Sequence, residues 1–148
     1  EKEVLATLSA ARWLGVQIAI DDFPCWEDPE ALLSWLERDT IGVSALKLDR
    51  SLVQDACRPD AAPAVLREVH RYVRVARQRG MTIVAEGVED DEQALVMQLL
   101  GADALQGFGI GRPQPAETAY HHTHDLVEMQ SALRTRPTAE PFGSARAH

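Results

Sequence analysis

Three things are scarce in this sequence: long apolar runs, cysteine and an excess of basic charge. No apolar stretch reaches the roughly 18 residues that a membrane span needs, and no signal-peptide pattern opens the chain. Cys25 and Cys57 are its only cysteines. Two are too few for a disulfide framework, so a reducing cytoplasmic compartment is expected. Lys and Arg number 15 against 23 Asp and Glu, for a net charge of −8. Gripping a nucleic-acid backbone takes clustered cations, which argues against a nucleic-acid polymer as partner. A small phosphorylated ligand stays open, because a bound divalent metal can offset carboxylates locally. The first residue is Glu1 rather than Met, which suggests a processed chain or a piece of a longer one.

What is present is an ordered alternation. Val4, Leu5, Leu8, Ala11 and Leu14 recur at helical spacing before Gly15, predicting a helix over residues 3–14. The short β-branched run Val16 to Ile20 predicts a strand, followed by Asp21 and Asp22. Further helices are expected over 29–38, 62–79 and 91–100, and strands over 43–48, 81–85 and 104–108. A last helix is expected to begin near Pro115 and extend toward Leu133. The order αβαβαβαβα implies a parallel sheet with helical crossovers. Four such βα units amount to part of a (βα)8 TIM-like barrel. Residues 1–134 read as this partial barrel, and the Pro-, Ala- and Ser-rich stretch 135–148 as a disordered tail.

Each predicted strand ends in a polar residue that its apolar run does not explain: Asp21 and Asp22, then Lys47 and Asp49, then Glu86, then Gln106. In a parallel barrel the C-terminal strand ends share one face, where active sites lie. Carboxylates brought together there repel, and a hard divalent cation relieves the repulsion through oxygen ligands. Lys47 among them suits a phosphate or a nucleophilic water. Singly, each feature is more often a turn, a helix cap or a solvated charge. Their coincidence at four successive strand ends points to metal-assisted phosphoryl chemistry. His121, His122 and His124 read as solvated rather than ligating, and Trp13, Trp26 and Trp35 as core or interface residues.

The stretches Ile18-Ala19-Ile20-Asp21-Asp22-Phe23, Leu46-Lys47-Leu48-Asp49-Arg50-Ser51-Leu52-Val53, Val84-Ala85-Glu86-Gly87-Val88-Glu89 and Gln106-Gly107-Phe108, with Gly111-Arg112-Pro113 after them, resemble the successive motifs of the EAL domain. That family comprises phosphodiesterases that hydrolyse cyclic di-GMP to the linear dinucleotide with two Mg2+ or Mn2+ ions. The resemblance covers about residues 5–116. It implies that Asp21 bridges two metals, that Asp22 holds the second, and that Lys47 binds the attacking water or the phosphate. It further implies that Glu86 sits at the second metal and helps activate water, and that Gln106 contacts the substrate. In the family a Glu-Ala-Leu strand, an Asn and a further metal-binding Glu lie upstream of these motifs, and none of them matches residues here.

The chain does contain Glu30-Ala31-Leu32, but after the Asp pair and on a predicted helix, so it is not that strand. The family's glycine-rich loop after Asp-Asp-Phe is replaced by Pro24-Cys25-Trp26-Glu27-Asp28-Pro29, which removes φ freedom and N–H donors. The resemblance therefore implies a phosphodiesterase domain impaired or inactive as this chain alone. The alternative is a degenerate module that binds cyclic di-GMP or a protein partner without turnover. Four strands leave two sheet edges and a concave face open, lined by residues such as Ile18, Ala45 and Ile83. This predicts a homodimer, or completion by an N-terminal half.

Overall fold

The predicted strands assemble into one four-stranded parallel sheet of order β1-β2-β3-β4. The computed structural model describes residues 2–24, 29–36 and 42–120. Along the chain run α1 (Lys2–Trp13), β1 (Ala19–Phe23), α2 (Pro29–Leu36), β2 (Ala45–Leu48), α3 (Arg50–Ala56), α4 (Pro63–Gln78), β3 (Thr82–Ala85), α5 (Asp91–Leu100) and β4 (Ala104–Leu105). Parallel neighbours need a crossover between them, and α2, the α3–α4 pair and α5 supply the three. Residues up to Arg112 form one compact unit; a second begins at Pro113. Within the second unit residues 116–120 are helical, as expected for the start of the last helix. Its continuation, the three histidines and the 135–148 tail lie outside the described residues.

The core is a single apolar layer between sheet and helices. Leu46 and Leu48 of β2, Ile83 and Ala85 of β3 and Phe23 of β1 are fully buried. From α4 the residues Val69, Tyr72, Val73 and Ala76 meet them, at the i, i+3, i+4, i+7 spacing that puts side chains on one helix face. Pro63 opens α4, where a missing N–H costs nothing. Gly101 closes α5 at φ 107°, a left-handed C-cap that favours glycine.

The structure differs from the sequence reading in four places. β1 begins at Ala19 and takes in the Asp pair, because residues 14–16 complete the turn after α1; Val16, expected in the strand, is exposed. A helix not anticipated, α3, follows β2 directly. Asp49 caps it, its carboxylate accepting from the Ser51 N–H at 2.7 Å, so this residue serves the capping role. β4 stops at Leu105, since the chain then turns through Gly107 and Gly109. The fourth difference concerns the open face. Ile18 and Ile83 are buried, at 8% and 0% exposure. Residues paired in a parallel sheet point the same way, and Ile83 pairs with Leu46 on the helix-covered side. The opposite face carries Ala45, Thr82, Lys47 and Val84, a small and partly polar set.

Candidate functional site

Two consecutive aspartates on a regular strand would point to opposite faces of the sheet. Here Ile20 pairs with Leu46 and Phe23 with Leu48, so Asp21 and Asp22 together stand opposite the single residue Lys47. This is a β-bulge, which re-aims side chains at a sheet's rim. Asp22 takes up the irregularity at φ 52°, a left-handed conformation that Asp tolerates better than most residues. Phe23 fixes the end of the bulge: it is fully buried, edge-on to Tyr72 with ring centroids 4.7 Å apart. The outcome is that carboxylate oxygens of Asp21, Asp22 and Glu86 lie within 4.8 Å of one another.

Lys47 holds this cluster together. Its ammonium lies 2.6 Å from Asp21 Oδ1 and 2.5 Å from Glu86 Oε1. The bonds to Asp21 and then Glu86 raise the Lys47 pKa above the usual lysine value, against the opposing effect of partial burial. Lys47 is therefore an ammonium at neutral pH and acts as a donor and positive charge, not as a base. Glu86 is the best shielded of the carboxylates, with its side chain 14% exposed against 63% for Asp21. Its own N–H donates to Leu48 O at 3.0 Å, which seats it one residue beyond β3 beside the end of β2. Three convergent carboxylates form a hard, all-oxygen donor set suited to Mg2+, Mn2+ or Ca2+. A cation already bridges two of them in the form of Lys47, so the cluster demands positive charge.

Asp21, Asp22, Lys47 and Glu86 are thus brought to one rim. Gln106 follows β4 at the same end of the sheet, its N–H donating to Ala85 O at 2.8 Å and its carbonyl accepting from Val88 N–H at 3.1 Å. The Gln106 side chain is exposed. Glu30-Ala31-Leu32 lies on α2, as expected, with the Glu30 carboxylate held by the Arg71 guanidinium of α4. Trp35 is half-buried against the core, Trp13 is exposed, and Trp26 lies outside the described residues. Sequence reasoning missed a second ion pair at this rim, Arg50 with Glu89. The available signal was spacing: each residue lies three positions beyond a member of the first pair, Lys47 with Glu86.

The family model of the EAL domain matches residues 1–113. The chain belongs to the EAL domain family. The bifunctional diguanylate cyclase/cyclic di-GMP phosphodiesterase MucR of Pseudomonas aeruginosa is 38% identical over 114 residues, 77% of this chain and 15% of that protein. The solved PaMucR phosphodiesterase in its c-di-GMP complex superposes with a TM-score of 0.65 at 34% identity, covering 80% of this chain and 44% of the other. BlrP1 of Klebsiella pneumoniae, in a manganese/cy-diGMP complex, gives 0.61 at 34% identity, over 73% of this chain and 26% of the other. The chain therefore spans less than half of each. EAL neighbours are TIM-barrel-like, so this EAL chain, with its four parallel strands, represents part of that barrel. No helix among the described residues is long and apolar enough to cross a membrane.

Proposed function

We propose that this chain carries the C-terminal part of a cyclic di-GMP phosphodiesterase site. The observation that supports it most is the convergence of Asp21, Asp22 and Glu86 around Lys47 at the strand ends. In this reading Asp21, Asp22 and Glu86 hold Mg2+ or Mn2+. Such ions, when bound, neutralise phosphate charge and make a coordinated water more acidic. Lys47, kept protonated, donates to a phosphate oxygen or to the attacking water and fixes its place. Glu86, on the least exposed flank, orients that water, and Gln106 meets the dinucleotide from beside β4.

Among the described residues there is one such carboxylate cluster, whereas a two-metal site needs ligands around both ions. Binding of Mn2+ without hydrolysis of cyclic di-GMP is therefore the expected behaviour of this chain alone. Manganese titration followed by electron paramagnetic resonance tests the site: binding should be present in the unaltered chain and lost in Asp21→Asn and Glu86→Gln. Metal-dependent turnover abolished by Glu86→Ala would overturn the expectation of an inactive chain. The proline-bearing segment 24–29 that follows the Asp pair favours a second reading, a module that binds cyclic di-GMP without turnover. Calorimetry with cyclic di-GMP separates the two: a binding module retains nucleotide in Glu86→Gln, whereas a metal-dependent site loses it. The outer edges of β1 and β4 are suited to a partner, either a second copy or an N-terminal half of the barrel.

A further inference from the structure

Glu86 stands at the head of the segment that follows β3, Glu86-Gly87-Val88-Glu89, and Arg50 grips that segment twice. The Arg50 guanidinium pairs with the Glu89 carboxylate. Its aliphatic stem lies across Gly87, so closely that a Cβ built there would collide with the stem carbons. Gly87 is at φ 67°, a conformation that favours glycine. Gln54, one turn along α3, steadies Arg50 in turn, its side-chain carbonyl oxygen accepting from the guanidinium at 2.9 and 3.2 Å. Lys47 and Arg50 lie three residues apart, as do Glu86 and Glu89, so two cation–carboxylate rungs join the end of β2 to the end of β3. The first rung belongs to the candidate metal cluster. The second is outside it and leaves the carboxylates untouched.

We propose that Arg50 is a positioning residue for Glu86: it fixes the segment after β3 so that the Glu86 carboxylate stays aimed at Asp21 and Asp22. The proposal rests on the metal-site reading above for its functional meaning, and on the Arg50–Gly87–Glu89 contacts for its geometry. Exposed ion pairs add little to global stability, commonly about 0–1 kcal/mol. Arg50 is 59% and Glu89 45% exposed at the side chain, so the effect belongs to the geometry of this segment and not to the fold's stability. Groups that orient metal ligands without touching the metal typically set affinity by about 10-fold or more.

The test compares the unaltered chain with Arg50→Ala, Glu89→Ala and the reciprocal Arg50→Glu/Glu89→Arg. Two readouts are needed: Mn2+ affinity, and native-state hydrogen exchange at the Glu86 and Val88 amides, which bond to Leu48 O and Gln106 O. Either single substitution should weaken Mn2+ binding about 10-fold and speed exchange at both amides, with the thermal midpoint little changed. The reciprocal pair should recover both. A chain that binds no Mn2+ even when unaltered would sink the metal reading, and the exchange data would then decide the Arg50 proposal alone. Unchanged exchange at Glu86 and Val88 in Arg50→Ala would overturn it, as would a fall in global stability with no local opening of the segment.

Discussion

At the scale of single residues, charge pairing and burial divide the work. Glu30 is exposed, yet its carboxyl is held below the usual carboxylate value, first by hydrogen bonding to Arg71 and then by that guanidinium's charge. A depressed folded pKa gives stability that is present above the unfolded value of 4.5 and is lost as pH falls through the folded one. The stability difference between the unaltered chain and Arg71→Gln should therefore shrink as pH is lowered from neutrality through this window. Unfolding midpoints across that range check it; a difference independent of pH counts against the pairing. Cys57 moves the other way: burial, then the charges of Asp90 and Glu92, raise its thiol above 9.0. The thiolate is the reactive form. In a Cys25→Ser background, alkylation of folded chain near pH 7.5 should be far slower than alkylation of the same chain in denaturant. Equal rates would show that Cys57 is not shielded.

Between residues and the whole stands the bulged strand. β1 owes its site geometry to one extra residue between two anchors, Ile20 and Phe23. Phe23 is fully buried against Tyr72, and removing such a side chain typically costs about 3–5 kcal/mol. Phe23→Ala should lower unfolding stability by about that amount and weaken Mn2+ binding, because the bulge loses its lower anchor. Denaturant unfolding together with metal titration checks both; lost stability with unchanged affinity would mean that the bulge holds by itself. The turn after β4 is equally constrained. A Cβ at Gly107 would run into the Val88 backbone, so Gly107→Ala should destabilise by more than the roughly 1 kcal/mol that a sterically compatible Gly→Ala change gains, seen as a lower denaturant midpoint.

For the whole molecule, the question is how the outer edges of β1 and β4 are covered. The expectation of a broad apolar concave face fails, since Ile18 and Ile83 are buried beneath the helices. Exposed apolar side chains are instead found near the two ends of the sheet order, with Trp13, Leu14 and Val16 leading into β1, and Leu95, Leu99, Phe108 and Ile110 around β4. Edge pairing of two copies predicts a dimer in sedimentation equilibrium at micromolar concentration. Charged substitution at the β4 side, Leu99→Glu with Phe108→Glu, should dissociate it. A stable folded monomer would count against self-pairing and leave the upstream half of an EAL barrel as the covering element.

Apart from α3, the order of helices and strands, the parallel sheet and the four residues Asp21, Asp22, Lys47 and Glu86 near the strand ends could be read from the sequence. Apolar periodicity and turn residues are local properties, and their alternation permits few topologies. The motif order also placed the chain in its family. Three things waited for the tertiary structure. The bulge depends on which residues of β2 pair with Ile20 and Phe23, and register is a property of two strands, not one. The side of the sheet taken by Ile83 follows from that same register. The Arg50–Glu89 rung joins residues 39 apart in sequence, and only the packing of β2 beside β3 makes neighbours of the start of α3 and the segment after β3.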